Sequence, residues 1–431
     1  MSAIETVHAR QILDSRGRPT VEVEIGLANG IVTRAAVPSG ASTGTHEAHE
    51  LRDGNADVFD GLGVLSAVEN VNTEIADALH GRDVTDQRGN DTALRELDGT
   101  SSLSRLGANA VLGTSLAICR ASAADTGQPL YRRIAELAGV IEPTLPMPMV
   151  NILSGGLHAG RGMDVQDFLA VPIGATTMLD AIRMTVQVRN AATEVCAGRG
   201  LPTLLADEGG LSPGCTTGQE ALELLVASIE HAGLVPGQDI AIAIDVAATS
   251  LFDSATGDYH LRREGRHAST AEMIDMIESW AEQFPIVSME DALDEDDWDG
   301  WRELTTRLGH RVRLIGDDLF TTNSERLARG IEENCATGVL VKVNQNGTLT
   351  GTLDVMDQAA AASYIPVVSA RSGETEDDFL ADLAVGTAGG QIKIGSTRSS
   401  ERLAKYNQLI RIAEDTSLSF TPLSLLTPEP A

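Results

Sequence analysis

At 431 residues, 42% of them apolar and 22% charged, the chain has ordinary globular composition and is too long for a single core. Its formal net charge of −30, with no basic run, argues against nucleic-acid and anionic-membrane partners. That charge leaves room for a small anionic substrate held by locally placed Lys, Arg or metal ions.

The first residues have neither a basic nor an apolar region, so no secretory signal is expected. From Glu5 to Gly26 β-branched residues alternate with polar ones, Ala28-Asn29-Gly30 reads as a turn, and Ile31 to Val37 as a returning strand. Pro38 to Glu47 is built of small residues and reads as a mobile loop over a ligand. Residues 62–138 carry helical periodicity, which predicts an α+β domain over 1–140. The proline-rich stretch Pro143 to Pro148 reads as a linker.

Beyond it strands and helices alternate, as expected of a β/α barrel over 141–417. Leu418 to Ala431 has three prolines and no periodicity, and is expected to be a loose tail. No apolar stretch is long enough to cross a bilayer. Cys119, Cys196, Cys215 and Cys335 are far apart and form no Cys-x-x-Cys pair, which favours a reducing cytoplasm over zinc or disulfides.

The apolar runs end on charge: Asp245, Glu290 and Asp317, then Lys342, Arg371 and Lys393. In a barrel these ends share one mouth, so three hard oxygen ligands would face three cations around a Mg²⁺-like ion. Ile365 to Asp377 reads as strand, turn and helix start around Arg371, a natural anion site.

Asp14-Ser15-Arg16-Gly17, Val37 to Gly44, Leu106 to Ala110, Asp207-Glu208-Gly209-Gly210, Leu340 to Gly347, Arg371 to Asp377 and Ser400 to Lys405 together resemble the enolase family over nearly the whole chain. The resemblance implies an N-terminal α+β lid domain followed by an eight-stranded β/α barrel, assembled as a homodimer or larger homo-oligomer. It implies two Mg²⁺ per site, the first held by Asp245, Glu290 and Asp317, the second aided by Ser42. Lys342 would be the base that takes the C2 proton, and Lys393 would hold the substrate carboxylate. Arg371 and Ser372 would grip phosphate. Glu208 would assist loss of the C3 hydroxyl, with His158 closing nearby. Muconate cycloisomerases and racemases of the same superfamily are disfavoured, because Asp207 to Gly210 stands where they carry Lys-x-Lys on the second barrel strand.

Four positions depart from the family. Ala370 stands for histidine and Asp167 for glutamate, both in the hydrogen-bonded cluster around the dehydrating acid; the shorter Asp167 is expected to break a bond there. Ser154 and Ala292 stand for asparagine and proline and read as structural drift. Enolate-forming residues are kept while dehydrating ones change, which favours a specialised paralogue of the carboxyphosphonoenolpyruvate synthase type, with space at Ala370 for a larger phosphorus substituent. The alternatives are a housekeeping enolase, converting 2-phosphoglycerate to phosphoenolpyruvate, and a non-catalytic scaffold.

Overall fold

The computed structural model describes residues 2–40 and 44–421. The alternating stretch at the start of the chain is cut at Asp14, whose carboxylate accepts from the backbone N–H of Arg16 (2.8 Å) and Arg18 (2.9 Å) and folds a turn. An antiparallel meander of Ile4–Leu13, Pro19–Leu27 and Val32–Ala36 results. Val21, Val23 and Ile25 share its buried face, and the helix Ala108–Thr126 covers them. That helix approaches closely because Gly113 sits against Val23, where an added Cβ would lie 2.7 Å from a valine methyl. Helices Gln87–Asp98 and Leu130–Ala138 complete the α+β part.

Eight strands then close into a barrel in chain order: Met147–Ser154, Asp167–Val171, Ala241–Asp245, Ile286–Glu290, Arg313–Gly316, Gly338–Val341, Ile365–Ser369 and Gln391–Gly395. Met149, Leu169, Ala243, Ile315, Leu340 and Val367 fill its interior below the mouth. The last six strands run parallel to the first. The second, Asp167–Val171, runs antiparallel to both neighbours, contrary to the uniform barrel expected. Its direction lets its first residue, Asp167, reach the mouth that the other strands reach with their last.

Two expectations from proline content change. Thr144–Leu145 and Met147–Ser154 are strands, so the proline stretch is largely sheet rather than linker. Pro148 is tolerated because pairing with Asp167–Val171 starts only at Val150, leaving its missing N–H without a ladder to serve. At the other end, Ser419–Phe420 pairs with Thr144–Leu145, and Phe420 packs against the barrel core, so the start of the expected tail is held in place. Among the described residues no helix is long and apolar enough to cross a membrane.

Candidate active site

The register Glu290↔Asp245 puts two carboxylates side by side at the mouth. Lys393 lies between them, its Nζ 2.8 Å from Asp245 Oδ2 and 2.8 and 2.7 Å from the two Glu290 oxygens. Lys342 pairs with Asp317 on the neighbouring strand, and Gln345 Nε2 donates to the other Asp317 oxygen at 2.9 Å. Asp245, Glu290, Asp317 and Lys393 are buried, and Lys342 is mostly so, its side chain 12% exposed. Burial and the charge of Asp245 push Glu290 well above the carboxylate range, despite Lys393 on both its oxygens. Burial opposes the charged forms of Asp245 and Asp317 too, but Lys393 and Lys342 respectively outweigh it and lower them. The lysines respond in kind. Burial works against both ammonium groups, yet Asp317 raises Lys342, and Asp245 and Glu290 raise Lys393 well above the ordinary value.

The hard carboxylate oxygens of Asp245, Glu290 and Asp317 at one mouth form a donor set that fits Mg²⁺. Among the described residues the ligand atoms of Asp245, Glu290 and Asp317 do not all lie within 4.8 Å of one another. The acidic ligand atoms that do gather within 4.8 Å of one another are those of Asp291, Asp317 and Asp318. Asp291 there closes the turn, accepting from the N–H of Asp317 (2.9 Å) and Asp318 (2.8 Å). Ser42, the expected second-ion ligand, lies outside the described residues.

Across the barrel, His158, Asp167 and Glu208 also gather within 4.8 Å. His158 Nδ1 is 3.0 Å from Asp167 Oδ2 and 3.9 Å from Glu208 Oε1. Burial disfavours the imidazolium, but Asp167 and Glu208 prevail and raise His158 to about 9. Asp167 itself is raised, chiefly by burial, whereas His158 and Arg402 overcome burial at Glu208 and lower it. The shorter Asp167 side chain therefore keeps its bond to His158, contrary to expectation. Its other oxygen accepts from Asn151 Nδ2 (2.6 Å) and Ser154 Oγ (2.9 Å). Ser154 is thus part of the cluster rather than drift. Glu208 sits in a turn whose stem bridges Leu205 to Leu211, not on a barrel strand. Gly210 allows that turn to close, since a Cβ there would lie 2.5 Å from Ser154 Oγ and 2.6 Å from Asn151 Oδ1.

The anion loop is held from several sides. Arg402, fully buried, donates to the carbonyls of Arg371 (2.7 Å), Ile394 (2.9 Å) and Ser372 (2.8 Å). Lys405 pairs with Glu374 at 2.8 Å, and Glu374 Oε1 accepts from the Arg371 N–H at 3.0 Å. From the N-terminal part, Ser39 and Gly373 exchange two backbone hydrogen bonds of 2.8 and 2.9 Å. Arg16 joins Ser39 O (3.0 Å) to Ser372 Oγ (3.4 Å). Asp14 to Gly17 is a buttress for this loop. Ala370 is buried, and the cavity it lines with His158, Glu208, Asp245, Lys342 and Lys393 holds about 20 Å³, room for about one water and not the space expected there for a larger phosphorus substituent.

The family model described as "Enolase, C-terminal TIM barrel domain" matches residues 142–420, and "Enolase, N-terminal domain" matches 4–134. The chain belongs to the enolase family. Its enolase fold and buried acidic groups make it an enzyme of the enolase superfamily. Sequence reasoning missed Asn151, Gln345, Glu47 and Arg402, and read Ser154 as drift. Arg402 and Gln345 lie inside family motifs, but nothing in the sequence says which motif residues touch; Glu47 reads as a plain loop carboxylate.

Proposed function

We propose that this enolase-family protein is a Mg²⁺-dependent lyase that forms an enolpyruvate from a 2-phosphoglycerate- or phosphoenolpyruvate-like substrate. One observation carries the reading. In the ring of eight strands, those leading to Lys342 and starting at Asp167 are four apart, so a candidate base and a candidate acid cluster face each other across one mouth. That is the placement needed to take a proton from one face of a substrate and assist departure of hydroxide from the other.

Lys342 would accept the C2 proton, Lys393 would bind the substrate carboxylate, and Arg371 with Ser372 would grip the phosphorus oxyanion. Glu208, kept by His158 and Asp167 in a fixed array, would assist loss of hydroxyl. Asp245, Glu290 and Asp317, with Ser42, would hold magnesium, whose positive charge would stabilise the enediolate and favour the neutral form of Lys342.

Within this chemistry a specialised paralogue acting on a carboxyphosphonoenolpyruvate-type substrate is supported by three departures, Asp167, Ser154 and Ala370, all at or beside the dehydrating cluster. The intact bond of 3.0 Å from His158 to Asp167 favours the second reading, an ordinary enolase. Purified protein with Mg²⁺ and 2-phosphoglycerate, followed by absorbance of the enol product, separates them. Turnover at an ordinary enolase's rate excludes the specialised reading. C2-proton exchange without turnover, lost in Lys342→Ala, supports it. Absence of exchange and of Mg²⁺ binding would leave only the scaffold reading.

The family resemblance supports a homodimer or larger homo-oligomer, and light scattering tests it. Four buried free cysteines suit a reducing cytoplasm.

A further inference from the structure

The candidate phosphate grip already holds an anion, and it belongs to the protein. Arg371 donates through one terminal nitrogen to Glu47 Oε2 (2.9 Å) and through the other to Glu47 Oε1 (3.3 Å), so the outer edge of the guanidinium is engaged as a fork. Asn344 Oδ1 accepts a further bond at 3.1 Å. The side chains of Arg371 and Glu47 are only 3% and 7% exposed. A fork of this kind is the geometry that would otherwise receive two oxygens of a phosphate or phosphonate.

We propose that Glu47 is a positioning residue of the anion site, a resident competitor that the phosphorus oxyanion of the substrate must displace from Arg371. The inference rests on reading Arg371 as the phosphate grip. The plainer role is a fixed counter-ion that neutralises a buried cation. Two observations distinguish the roles. Glu47 lies in an irregular segment, fastened by bonds to its own Oε1 from the Gly44 N–H (2.9 Å) and Gln345 Nε2 (3.3 Å), not on a strand or helix. Glu47 and Asn344 also line a cavity of about 390 Å³ together with Gly40, Gly44 and Thr45, so the carboxylate has a place to go when it leaves Arg371.

Gln345 gives the exchange a second consequence. Its amide reaches both Glu47 and Asp317, so Glu47 leaving Arg371 frees a donor shared with the carboxylate beside Lys342. Selectivity follows from charge. A dianionic tetrahedral group outcompetes a carboxylate for the fork, whereas a monoanionic carboxylate offers nothing Glu47 does not already supply.

Calorimetric titration with inorganic phosphate at pH 8, in fixed Mg²⁺, tests this on the full-length protein and on Glu47→Gln, Glu47→Asp and Arg371→Met. Removing the competitor should tighten phosphate binding roughly tenfold in Glu47→Gln, and lower KM for a phosphorylated substrate more than it changes kcat. Arg371→Met should abolish phosphate binding. Unchanged or weaker binding in Glu47→Gln, with Arg371→Met still abolishing it, overturns the competitor and leaves the grip standing. Undiminished binding in Arg371→Met overturns the grip and the competitor together. Should Glu47→Gln fail to fold, Glu47→Asp keeps the charge but shortens the fork; binding about threefold tighter supports the proposal, and no change overturns it.

Discussion

Asp167 shows how little a family substitution says until its neighbours are known. One methylene shorter than glutamate, it still bonds His158 at 3.0 Å and gains Asn151 and Ser154 on its other oxygen. Ser154 and Asp167 thus form one hydrogen-bonded unit. If that unit limits dehydration, Asp167→Glu with Ala370→His should raise 2-phosphoglycerate turnover by roughly 100-fold, within the range acid–base partners supply; unchanged turnover places the specificity elsewhere. Glu290 offers a binding counterpart. Burial and Asp245 push it well above the carboxylate range, and a bound Mg²⁺ would relieve that repulsion. Millimolar Mg²⁺ should therefore raise Tm, EDTA should reverse the rise, and Glu290→Gln should lose most of it.

At the scale of elements, the site is built by supports outside it. The helix Ser400–Ile412 exists in the sequence as a familiar motif, but its buried face carries Arg402, whose guanidinium ties three carbonyls of two strand-end segments. Arg402→Met removes those donors and leaves buried carbonyls unpaired, so a loss of about 3 kcal/mol in denaturant unfolding is expected. Because Arg402 also helps lower Glu208, the variant should shift the pH profile of turnover as well. A purely structural role would move stability alone. The antiparallel second strand is the other element that decides the site. A parallel strand would point Asp167 toward the barrel floor.

For the whole molecule, the two domains meet through a buried acid. Asp382, on the helix Phe379–Gly386, accepts from the Tyr131 N–H at 3.1 Å and from Gln408 Nε2 at 3.0 Å. Burial pushes it up to about 7. Since the folded pKa exceeds the unfolded one, the fold binds the proton more tightly. Stability is fullest below about pH 4, falls as pH rises toward 7, and levels off above it. The slope is about 1.4 kcal/mol per pH unit at most. Asp382→Asn cannot titrate, so its Tm should gain on that of the unaltered protein between pH 4 and 7 and hold a constant lead above. A lead that does not depend on pH contradicts the shift.

Charge at the ends of apolar runs, and motif residues in order, were enough to determine the family, the barrel and most of the chemical groups at its mouth. Those features are local: a strand that ends on a carboxylate says so within a few residues. The direction of the second strand, the place of Pro148 within a strand, the bonding of Ser154 to Asp167 and the occupation of Arg371 by Glu47 were decided only by tertiary structure. Each depends on which distant segments share a ladder or a buried charge, and a carboxylate 324 residues from its guanidinium carries no local mark of that partner.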